Sequence, residues 1–459
     1  MPLERVYRLR DEAELADERG RLRVTIPHAA LAVRAEPAPG GRLVRALAAE
    51  WLTEDEAAAR FGAEDATADW ARFYAFFGEL VQRRMLQVQT RWDGDALFTL
   101  TPAPPESAGR KPPVPKAWQL SRFAYLRQER GRLVLESPLT PHRFVLHHPG
   151  LAGLLFGPGS DARLGLAEPA AAAFVQAAAW LKFIDVDGAE AEPAGLGWWE
   201  FHDLLFHVRS MMGGHAHRVG GSCRFQGERD LPPVVRAIGS GEVIALPRPD
   251  EEAMQRLQRG LWDVLAERRS IRRQRAPAIR VDELAACLDA AARVKEVIEV
   301  DGVGQLSRRP WPSGGSLHPL EIWPLVRECQ GLASGLYHYR ADTHALENLP
   351  VGDDALGRLL GMCEFESLGY GAPQVLLLIT ARFGRTAWKY EGLAYRVVQH
   401  DLGGLEQTLY LAATALDLAP CALGGLAPGT FASATGIDAH AEPLVGAFTL
   451  GRPSRSDAP

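Results

Sequence analysis

The sequence lacks a long hydrophobic segment. Its 459 residues contain no continuous apolar run of the ~18 residues that a membrane-spanning helix needs. The N-terminal stretch MPLERVYRLRDEAEL carries charges where a secretory signal peptide requires an apolar segment. We therefore expect a cytoplasmic protein without membrane association. A chain of this length is too long for one ordinary core, which predicts two or three domains.

Cysteine is scarce, and neither sign of charge dominates. The five cysteines are scattered without a CxxC pair, which argues against a metal or redox site and fits reduced thiols. They are Cys223, Cys287, Cys329, Cys363 and Cys421. The 51 basic and 57 acidic residues leave a formal net charge of −6, which gives no reason to expect nucleic acid or anionic lipid as a partner.

Proline-rich stretches divide the sequence into three blocks. The stretches at 101–117 and 230–252 are rich in proline, as exposed connectors are. They separate a first predicted domain at 1–100, a second at 118–225 and a third at 253–453.

The first two blocks share one pattern. An RGRL stretch, at 19–22 and again at 130–133, begins two predicted short strands around a turn, and helical segments follow. In the first block Thr53 and Glu56 form a capping box that begins a helix, and the Asp-Gly pair at 93–94 predicts a hairpin. Strands, three helices and a wing-like hairpin describe a winged-helix-like domain. The second block predicts a more degenerate copy of it.

The charge pattern of these two blocks argues against DNA. A winged helix suggests DNA binding, yet neither block contains the lysine and arginine cluster that phosphate contacts require. We therefore expect these domains to bind a peptide or another partner, or to be purely structural.

The third block opens with a basic cluster. Three guanidinium groups and one hydroxyl fall within five positions of AERRSIRRQ, namely Arg268, Arg269, Ser270 and Arg272. Guanidinium groups and hydroxyls are good ligands for a phosphate. A solvated basic helix end, favoured by the helix dipole, is the ordinary explanation of the same residues.

A glycine-rich turn follows in RRPWPSGGSLHPLEIW. It places Ser313 and Gly314 between two prolines, where backbone amides can approach a planar or anionic ligand because no Cβ intervenes. Such a turn is weak evidence by itself. His318, just behind it, fits a packed histidine better than a catalyst.

Further candidates lie towards the C-terminus. The apolar run VLLLIT predicts a buried strand, and Lys389 and Tyr390 follow shortly after it. An exposed lysine beside a half-buried tyrosine is the ordinary explanation of that pair. The other candidates are Gly424 and Gly425 in CALGG and Arg452 at the end of a strand-like run.

The order of these motifs resembles a known family. RRSxR, PSGG, a strand with a long helix, GG and a closing LGR follow one another as in the nitroreductase-fold flavoproteins, which bind FMN. WKY and GLYHYRADTHALENL narrow the resemblance to the SagB-type dehydrogenases of azole-peptide biosynthesis, relatives of the cyanobactin oxidases. The resemblance implies an α+β fold with a C-terminal nitroreductase-like domain, built as a mixed sheet with flanking helices. It also implies a homodimer. In each chain two winged-helix-like domains would precede the flavin domain, and these domains resemble elements that bind leader peptides.

The resemblance also assigns roles to single residues. It implies that Lys389 and Tyr390 are the catalytic pair, although Trp388 stands where leucine is usual. The residues that it implies for FMN binding are Arg268, Arg269, Ser270, Arg272, Ser313, Gly314, Gly424, Gly425 and Arg452. Of these, the basic cluster and Arg452 would hold the phosphate end, and the glycines would lie along the flavin ring.

The reaction implied is the removal of two hydrogens from a thiazoline or oxazoline in a peptide. One hydrogen leaves as a proton from a ring carbon beside the carbonyl, and the other leaves as hydride to the flavin. Lys389 would take the proton, which requires surroundings that favour its neutral form. Tyr390 would hold the substrate carbonyl or share the proton. Because successive helical residues point ~100° apart, both can act only from a strand end or a turn.

A long helix is predicted after the pair, and it carries two glycines. Gly403 and Gly404 each destabilise a helix by roughly 1 kcal/mol relative to alanine. Close helix approach in a dimer core is the expected compensation.

Two other functions stay open from the sequence. One is an NAD(P)H-dependent nitroreductase or ene-reductase that acts on a small molecule, and the other is a peptide-binding scaffold with an inert flavin domain. The Lys-Tyr pair and the N-terminal blocks favour the azoline oxidase, and the basic cluster disfavours the scaffold. The sequence leaves open the peptide or carrier-bound substrate, the ring heteroatom and the docking of a cyclodehydratase.

Overall fold

The computed structural model divides the chain into two compact units, Met1–Val219 and Gly220–Pro459. The residues that the structure describes are 3–62, 67–105, 112–158, 165–188, 190, 195–237, 239–366, 371–425 and 427–454. Part of the first predicted connector, at 106–111, lies outside the described residues.

The first unit contains eleven strands and six helices among its described residues. The strands are β1 (Leu3–Leu9), β2 (Glu14–Glu18), β3 (Arg21–Ile26), β4 (Ala29–Arg34), β5 (Leu86–Trp92), β6 (Asp95–Thr101), β7 (Gln119–Leu120), β8 (Tyr125–Glu129), β9 (Arg132–Glu136), β10 (Arg143–Leu146) and β11 (Ile184–Asp185). The helices are α1 (Pro39–Ala49), α2 (Glu54–Phe61), α3 (Thr67–Gln82), α4 (Gly150–Leu154), α5 (Glu168–Trp180) and α6 (Phe201–Arg209).

The capping box and the hairpin predicted in the first block are both present. The Thr53 side chain accepts the Glu56 backbone N–H, and the Glu56 carboxylate accepts the Thr53 N–H, so the capping box begins α2. The hairpin of β5 and β6 turns at Asp93 and Gly94, whose φ values of 53° and 84° are the positive angles of a type I′ turn.

The two N-terminal blocks share one sheet in the first unit. Its strand order is β1-β5-β6-β10-β9-β8, and β6 of the first block pairs antiparallel with β10 of the second. Phe98, Phe144 and Phe174 meet with ring centroids 5.2–5.7 Å apart, so the core is also shared. The division into two winged-helix-like domains stays a prediction.

The second unit contains nine strands and seven helices among its described residues. The strands are β12 (Val243–Ala245), β13 (Glu296–Val300), β14 (Gly304–Arg308), β15 (Leu320–Val326), β16 (Gly335–Arg340), β17 (Ala345–Leu349), β18 (Val375–Ala381), β19 (Cys421–Leu423) and β20 (Leu444–Leu450). The helices are α7 (Glu251–Leu257), α8 (Leu261–Glu267), α9 (Val281–Ala292), α10 (Asp353–Glu366), α11 (Phe383–Lys389), α12 (Ala394–Ala415) and α13 (Pro428–Thr435).

A seven-stranded sheet organises the second unit, in the order β12-β17-β16-β15-β18-β20-β19. Every residue of β18 is buried, as the VLLLIT run predicts. Leu377 and Ile379 of β18 pack in the core formed with α9 and α12, whereas Leu376 and Leu378 pack in the core that contains Phe431 of α13. Because successive side chains of a strand point to opposite faces, β18 packs against a layer of helices on each face of the sheet.

The α+β class with a helix-flanked C-terminal sheet is confirmed, with one difference in detail. The sequence analysis predicts a mixed sheet, but the neighbouring strands of this sheet pair antiparallel. For β15, β16 and β17 the reason is local, because short turns connect them and such turns join antiparallel neighbours. Other pairs, such as β12 with β17 and β15 with β18, form between segments that lie far apart in the chain.

Within the described ranges, no helix is both long and apolar enough to cross a membrane. The same residues hold no group of three or more His, Cys, Asp or Glu side chains arranged to bind a metal ion.

Candidate active site

Lys389 and Tyr390 lie where a helix ends. Lys389 is the last residue of α11, and Tyr390 continues in extended geometry with φ −103° and ψ 128°. Tyr390 has therefore left the helix, and the ~100° separation of successive helical side chains no longer applies. The Lys389 amine lies 5.7 Å from the centroid of the Tyr390 ring, and both residues are half-buried.

A buried arginine fixes α11 in place. Arg385 is fully buried and donates to the backbone carbonyls of Leu317 at 2.7 Å and Gln305 at 3.2 Å, and also to Pro232. Burial, together with nearby Arg382 and Arg309, lowers the pKa of Arg385 to about 9. Its charge is thus held by carbonyl oxygens, which attach α11 to three other segments of the unit.

A second segment holds the chain on both sides of Tyr390. We call residues 220–229 the strap. The backbones of Gly220 and Glu391 exchange hydrogen bonds of 3.1 and 2.9 Å, and the Cys223 N–H donates to the carbonyl of Lys389 at 3.0 Å. The Ser222 hydroxyl donates to the Glu391 carboxylate at 2.9 Å. The strap therefore fixes the backbone from Lys389 to Glu391.

The glycine-rich turn passes directly over the pair. Gly315 has φ +64°, and a Cβ built on it would lie 2.8 Å from the Lys389 amine and 3.1 Å from the Tyr390 hydroxyl. A Cβ on Gly314 would lie 2.4 Å from a methyl group of Val397. A side chain at either position would displace a neighbouring side chain, so the two glycines let the backbone approach the pair.

A buried carboxylate holds this turn. Asp401 of α12 is 3% exposed and accepts from the Ser313 hydroxyl at 2.5 Å and from the Gly314 N–H at 3.0 Å. Burial raises the pKa of Asp401, and the bonds from Ser313 and Gly314 oppose that shift. Burial, with Asp401 and Cys223 nearby, also raises the pKa of Tyr390. Tyr390 therefore keeps its proton at neutral pH and acts as a hydrogen-bond donor.

His318 is packed beside the turn. It is 4% exposed, and its ring lies edge-on to Trp311 with centroids 4.5 Å apart. Burial, with Arg309 and Arg385 nearby, lowers its pKa to about 3. The imidazole is therefore neutral at neutral pH, in agreement with the packed histidine predicted from the sequence.

The basic cluster meets the CALGG segment through Tyr410 of α12. The Ser270 and Tyr410 hydroxyls lie 2.8 Å apart, and the Tyr410 hydroxyl accepts the Ala422 N–H at 2.8 Å. The Arg268 guanidinium lies 5.2 Å from the centroid of the Tyr410 ring. Tyr410, which was not a candidate from the sequence, therefore joins Ser270 to Ala422, which are 152 positions apart in the chain.

The cationic groups of this cluster are accessible. Arg269 and Arg272 are exposed and Arg268 is half-buried. Arg268 and Arg269 line a cavity of about 220 Å³. Among the described residues, no carboxylate lies within ion-pair distance of Arg268 or Arg272. Such a set of donors suits an anionic group.

The remaining predicted residues lie at the adjacent strand ends. Gly424 and Gly425 follow β19 and are exposed. Arg452 follows β20, and its guanidinium donates to both oxygens of Glu283 at 2.9 and 2.6 Å. Arg452 therefore already holds a carboxylate, in contrast to the phosphate contact that the resemblance implies for it.

Helix α12 connects the two groups of candidate residues. Asp401, which holds the turn over the Lys389–Tyr390 pair, and Tyr410, beside the basic cluster, are nine residues apart on this helix. That spacing corresponds to ~13 Å along the helix axis. The unit thus carries a lysine–tyrosine pair at one place and a cationic cluster at the other, an arrangement that suits a ligand with a planar part and an anionic end.

Comparisons with known proteins define the class. Residues 265–452 match the nitroreductase family model, and residues 118–216 match the model of the cyanobactin oxidase ThcOx. The second unit therefore contains a domain of the nitroreductase fold. Both matches confirm the predicted resemblance and the predicted class of enzyme, an oxidoreductase.

The individual relatives come from archaea and bacteria. A Methanocaldococcus jannaschii protein described as a nitroreductase is 28% identical over 184 residues, which are 40% of this chain and 85% of that protein. The trifolitoxin-processing protein TfxB of Rhizobium leguminosarum bv. trifolii is 28% identical over 177 residues, 38% of this chain and 48% of TfxB. The microcin B17-processing protein McbC of Escherichia coli is 31% identical over 116 residues, 24% of this chain and 42% of McbC. The matched region thus spans less than half the length of the two processing proteins.

A solved structure adds a cofactor to the comparison. The Desulfovibrio desulfuricans protein, described as a nitroreductase and solved in complex with FMN, matches with 16% identity and a TM-score of 0.30. The match covers 44% of this chain and 90% of that chain.

Proposed function

We propose that this chain is an FMN-dependent azoline oxidase of the cytoplasm. It oxidises thiazolines or oxazolines in a ribosomally made peptide to thiazoles or oxazoles. The observation that carries the proposal is the position of Lys389 and Tyr390, which lie together beneath the Gly314–Gly315 backbone within a nitroreductase-family domain. The similarity to a cyanobactin oxidase and to two peptide-processing proteins supports the substrate class.

The residues present fit FMN. Accessible guanidinium groups without a described carboxylate partner suit its phosphate, and these are Arg268 and Arg272, with Arg269 and Ser270 beside them. The side-chain-free backbone at Gly314 and at Gly424–Gly425 suits the face of a planar ring. Ser313 holds the first of these glycine segments to Asp401. Arg452 would act indirectly, because it is engaged by Glu283.

The chain supplies the base and the orientation for this reaction. When bound, FMN supplies the acceptor for two electrons and one hydrogen. Lys389 removes the proton from the ring carbon beside the carbonyl. Tyr390 donates its hydroxyl proton to the carbonyl oxygen and so stabilises the charge that develops there. The strap and Arg385 hold both residues in position.

The first unit is proposed to bind the peptide rather than nucleic acid. The face of β1, β5 and β6 and the helix α5 enclose a groove of about 980 Å³. Small side chains of α5, including Ala172, Ala173 and Ala177, leave this space open, and apolar side chains line much of the rest. Arg5 is the formally charged residue of the lining. One positive charge in an apolar groove suits an extended peptide with an acidic residue. Binding to the phosphates of a nucleic acid would need several positive charges.

Oxidation of a defined peptide tests this function. We expect aerobic incubation with a thiazoline-bearing peptide to yield a product lighter by two hydrogens, measured by mass spectrometry. We expect the same core peptide without its leader to react more slowly, because the groove of the first unit would then be unused. If the protein instead consumes NAD(P)H with a nitroaromatic compound and leaves the azoline peptide unchanged, the small-molecule reductase is the correct function.

A homodimer formed through the second unit is also proposed. Leu261, Trp262 and Leu265 of α8 are 65%, 83% and 47% exposed, and α8 packs beside the long helix α12. Gly403 of α12 is exposed as well, and a Cβ on it would meet no atom within 4 Å. These apolar groups suit burial against a second copy. Gly404, by contrast, approaches Pro312 of its own chain, where a Cβ would lie 3.4 Å away.

We expect the purified protein to carry FMN and to be a dimer, and Trp262→Glu to make it a monomer because a buried unpaired carboxylate destabilises an apolar interface. Light scattering after size-exclusion chromatography measures the mass, and chromatography of the heat-released chromophore identifies the flavin. Trp198→Glu is the control, since Trp198 is 89% exposed in the first unit. A released FAD, or a wild-type monomer with flavin bound, would refute this proposal.

A further inference from the structure

Asp401 is a buried carboxylate that the proposed chemistry does not use directly. It lies in α12 at 3% exposure, and it accepts hydrogen bonds from Ser313 and Gly314. We propose that Asp401 is a positioning residue, which holds the turn Ser313–Ser316 against Lys389 and Tyr390 and so sets the geometry of proton removal. This inference rests on the proposed function for its catalytic consequence, but its structural part can be measured separately.

The hydrogen bonds connect Asp401 directly to the start of the turn, and through Ser313 to the residue that follows its end. The Gly314 N–H donates to one carboxylate oxygen and the Ser313 hydroxyl donates to the other. The same Ser313 hydroxyl oxygen accepts the N–H of His318 at 2.9 Å. His318 is itself packed against Trp311. The turn is therefore attached at its start to α12 and at its end to a buried ring.

Gly315 lies between the Asp401 bonds at the start of the turn and the His318 bond at its end. These bonds therefore set the position of Gly315 relative to Lys389 and Tyr390. The backbone of Gly315 comes close enough that a Cβ would be 2.8 Å from the Lys389 amine. A displacement of the turn would therefore open or close the space around that amine. Misplacing reacting groups by ~1 Å can lower a rate by ~10²-fold.

The hydrogen bonds also argue against a direct chemical role for Asp401. Each carboxylate oxygen faces a donor of the turn, so neither is directed to a substrate. An ionised carboxylate is costly to bury unless its oxygens are paired. The bonds from Ser313 and Gly314 supply that pairing, and they strengthen the turn because a bond to a charged acceptor is stronger than one between neutral groups.

The experiment compares Asp401→Asn with the control Glu406→Gln. Asparagine keeps the size of the side chain but replaces one acceptor oxygen with an amide donor, which repels the turn. Glu406 lies on the same helix, is half-buried, and has a pKa raised to about 7 by burial. Among the described residues it makes no hydrogen bond to the turn. The full-length protein is used throughout.

Three experiments are performed on each variant. Hydrogen exchange of the peptide that contains Gly314 reports the order of the turn without any cofactor. Titration with FMN gives its Kd, and turnover of the azoline peptide gives kcat and KM. For Asp401→Asn we expect exchange at the turn to become about 10–100-fold faster, as losing one hydrogen bond to a charged group predicts. We expect kcat to fall by a similar factor while KM stays nearly unchanged, and Glu406→Gln to match the wild type.

Ser313→Ala removes the partner of the same bond from the other side. If the bond is the cause, Ser313→Ala and the double variant should show the same faster exchange, with effects that do not add. Unchanged exchange in Asp401→Asn, or faster exchange with unchanged kcat, would overturn the proposal. If the wild type oxidises no azoline peptide, the proposed function fails, and the exchange and FMN measurements still decide whether Asp401 holds the turn.

Discussion

Lys389→Met is expected to lower azole formation by the ~10²–10⁴-fold that general acid-base catalysis contributes, while the flavin stays bound. Methionine keeps the unbranched chain of lysine and removes only the amine. The helix end that carries Lys389 does not depend on this amine, because Arg385 and the backbone of the strap hold it. Single-turnover oxidation of a thiazoline peptide, followed by mass spectrometry and by flavin absorbance, measures the effect.

Two further variants separate chemistry from folding in this experiment. Lys295→Met is the control, since Lys295 is exposed in the same unit. Tyr390→Phe should lose less activity than Lys389→Met if the hydroxyl orients the substrate and stabilises charge. If Lys389→Met keeps near-normal turnover with flavin bound, Lys389 is not the base. His318 is then a poor substitute, because it is buried and its pKa of about 3 makes it a weak base.

The fold of the second unit was largely predictable from local patterns. An unbroken apolar run such as VLLLIT can be stable only where both faces of a strand are covered, and β18 is covered on both. The long helix after it follows from its apolar periodicity. The direction of neighbouring strands was not predictable in the same way, since pairing depends on contacts between segments that lie far apart in the chain.

The candidate site was predictable only as separate motifs. Chemistry-bearing residues such as Lys389 and Ser313 can be recognised by type and order. The hydrogen bonds that connect these motifs cannot be recognised in the sequence. Asp401 bonds to a residue 88 positions away, and Tyr410 bonds to a residue 140 positions away. A carboxylate on the buried face of a helix, between apolar residues such as Val397, Val398 and Leu405, is a signal that could have identified Asp401, since burying a charge requires a specific partner. The strap offered no such signal, because most of its bonds to the segment Lys389–Glu391 are made by backbone groups.

Gly315→Ala is expected to lower azoline oxidation by ~10²-fold, the effect of misplacing a reacting group by about 1 Å. The new Cβ would lie 2.8 Å from the Lys389 amine and 3.2 Å from its Cδ, so the lysine side chain must move. Because these atoms belong to a flexible side chain, the fold can accommodate the change while the base leaves its position. Thermal unfolding and turnover of the azoline peptide, measured on the same preparation, separate the two effects.

Gly436→Ala is the matched control for this variant. Gly436 has φ +70°, close to the +64° of Gly315, and a Cβ on it would meet no atom within 4 Å. Both substitutions therefore carry the ~1–2 kcal/mol that a side chain costs in the left-handed region, but only Gly315→Ala contacts the catalytic pair. We expect similar losses of thermal stability and a large difference in turnover. Equal turnover in the two variants would show that the turn does not set the position of the Lys389 amine.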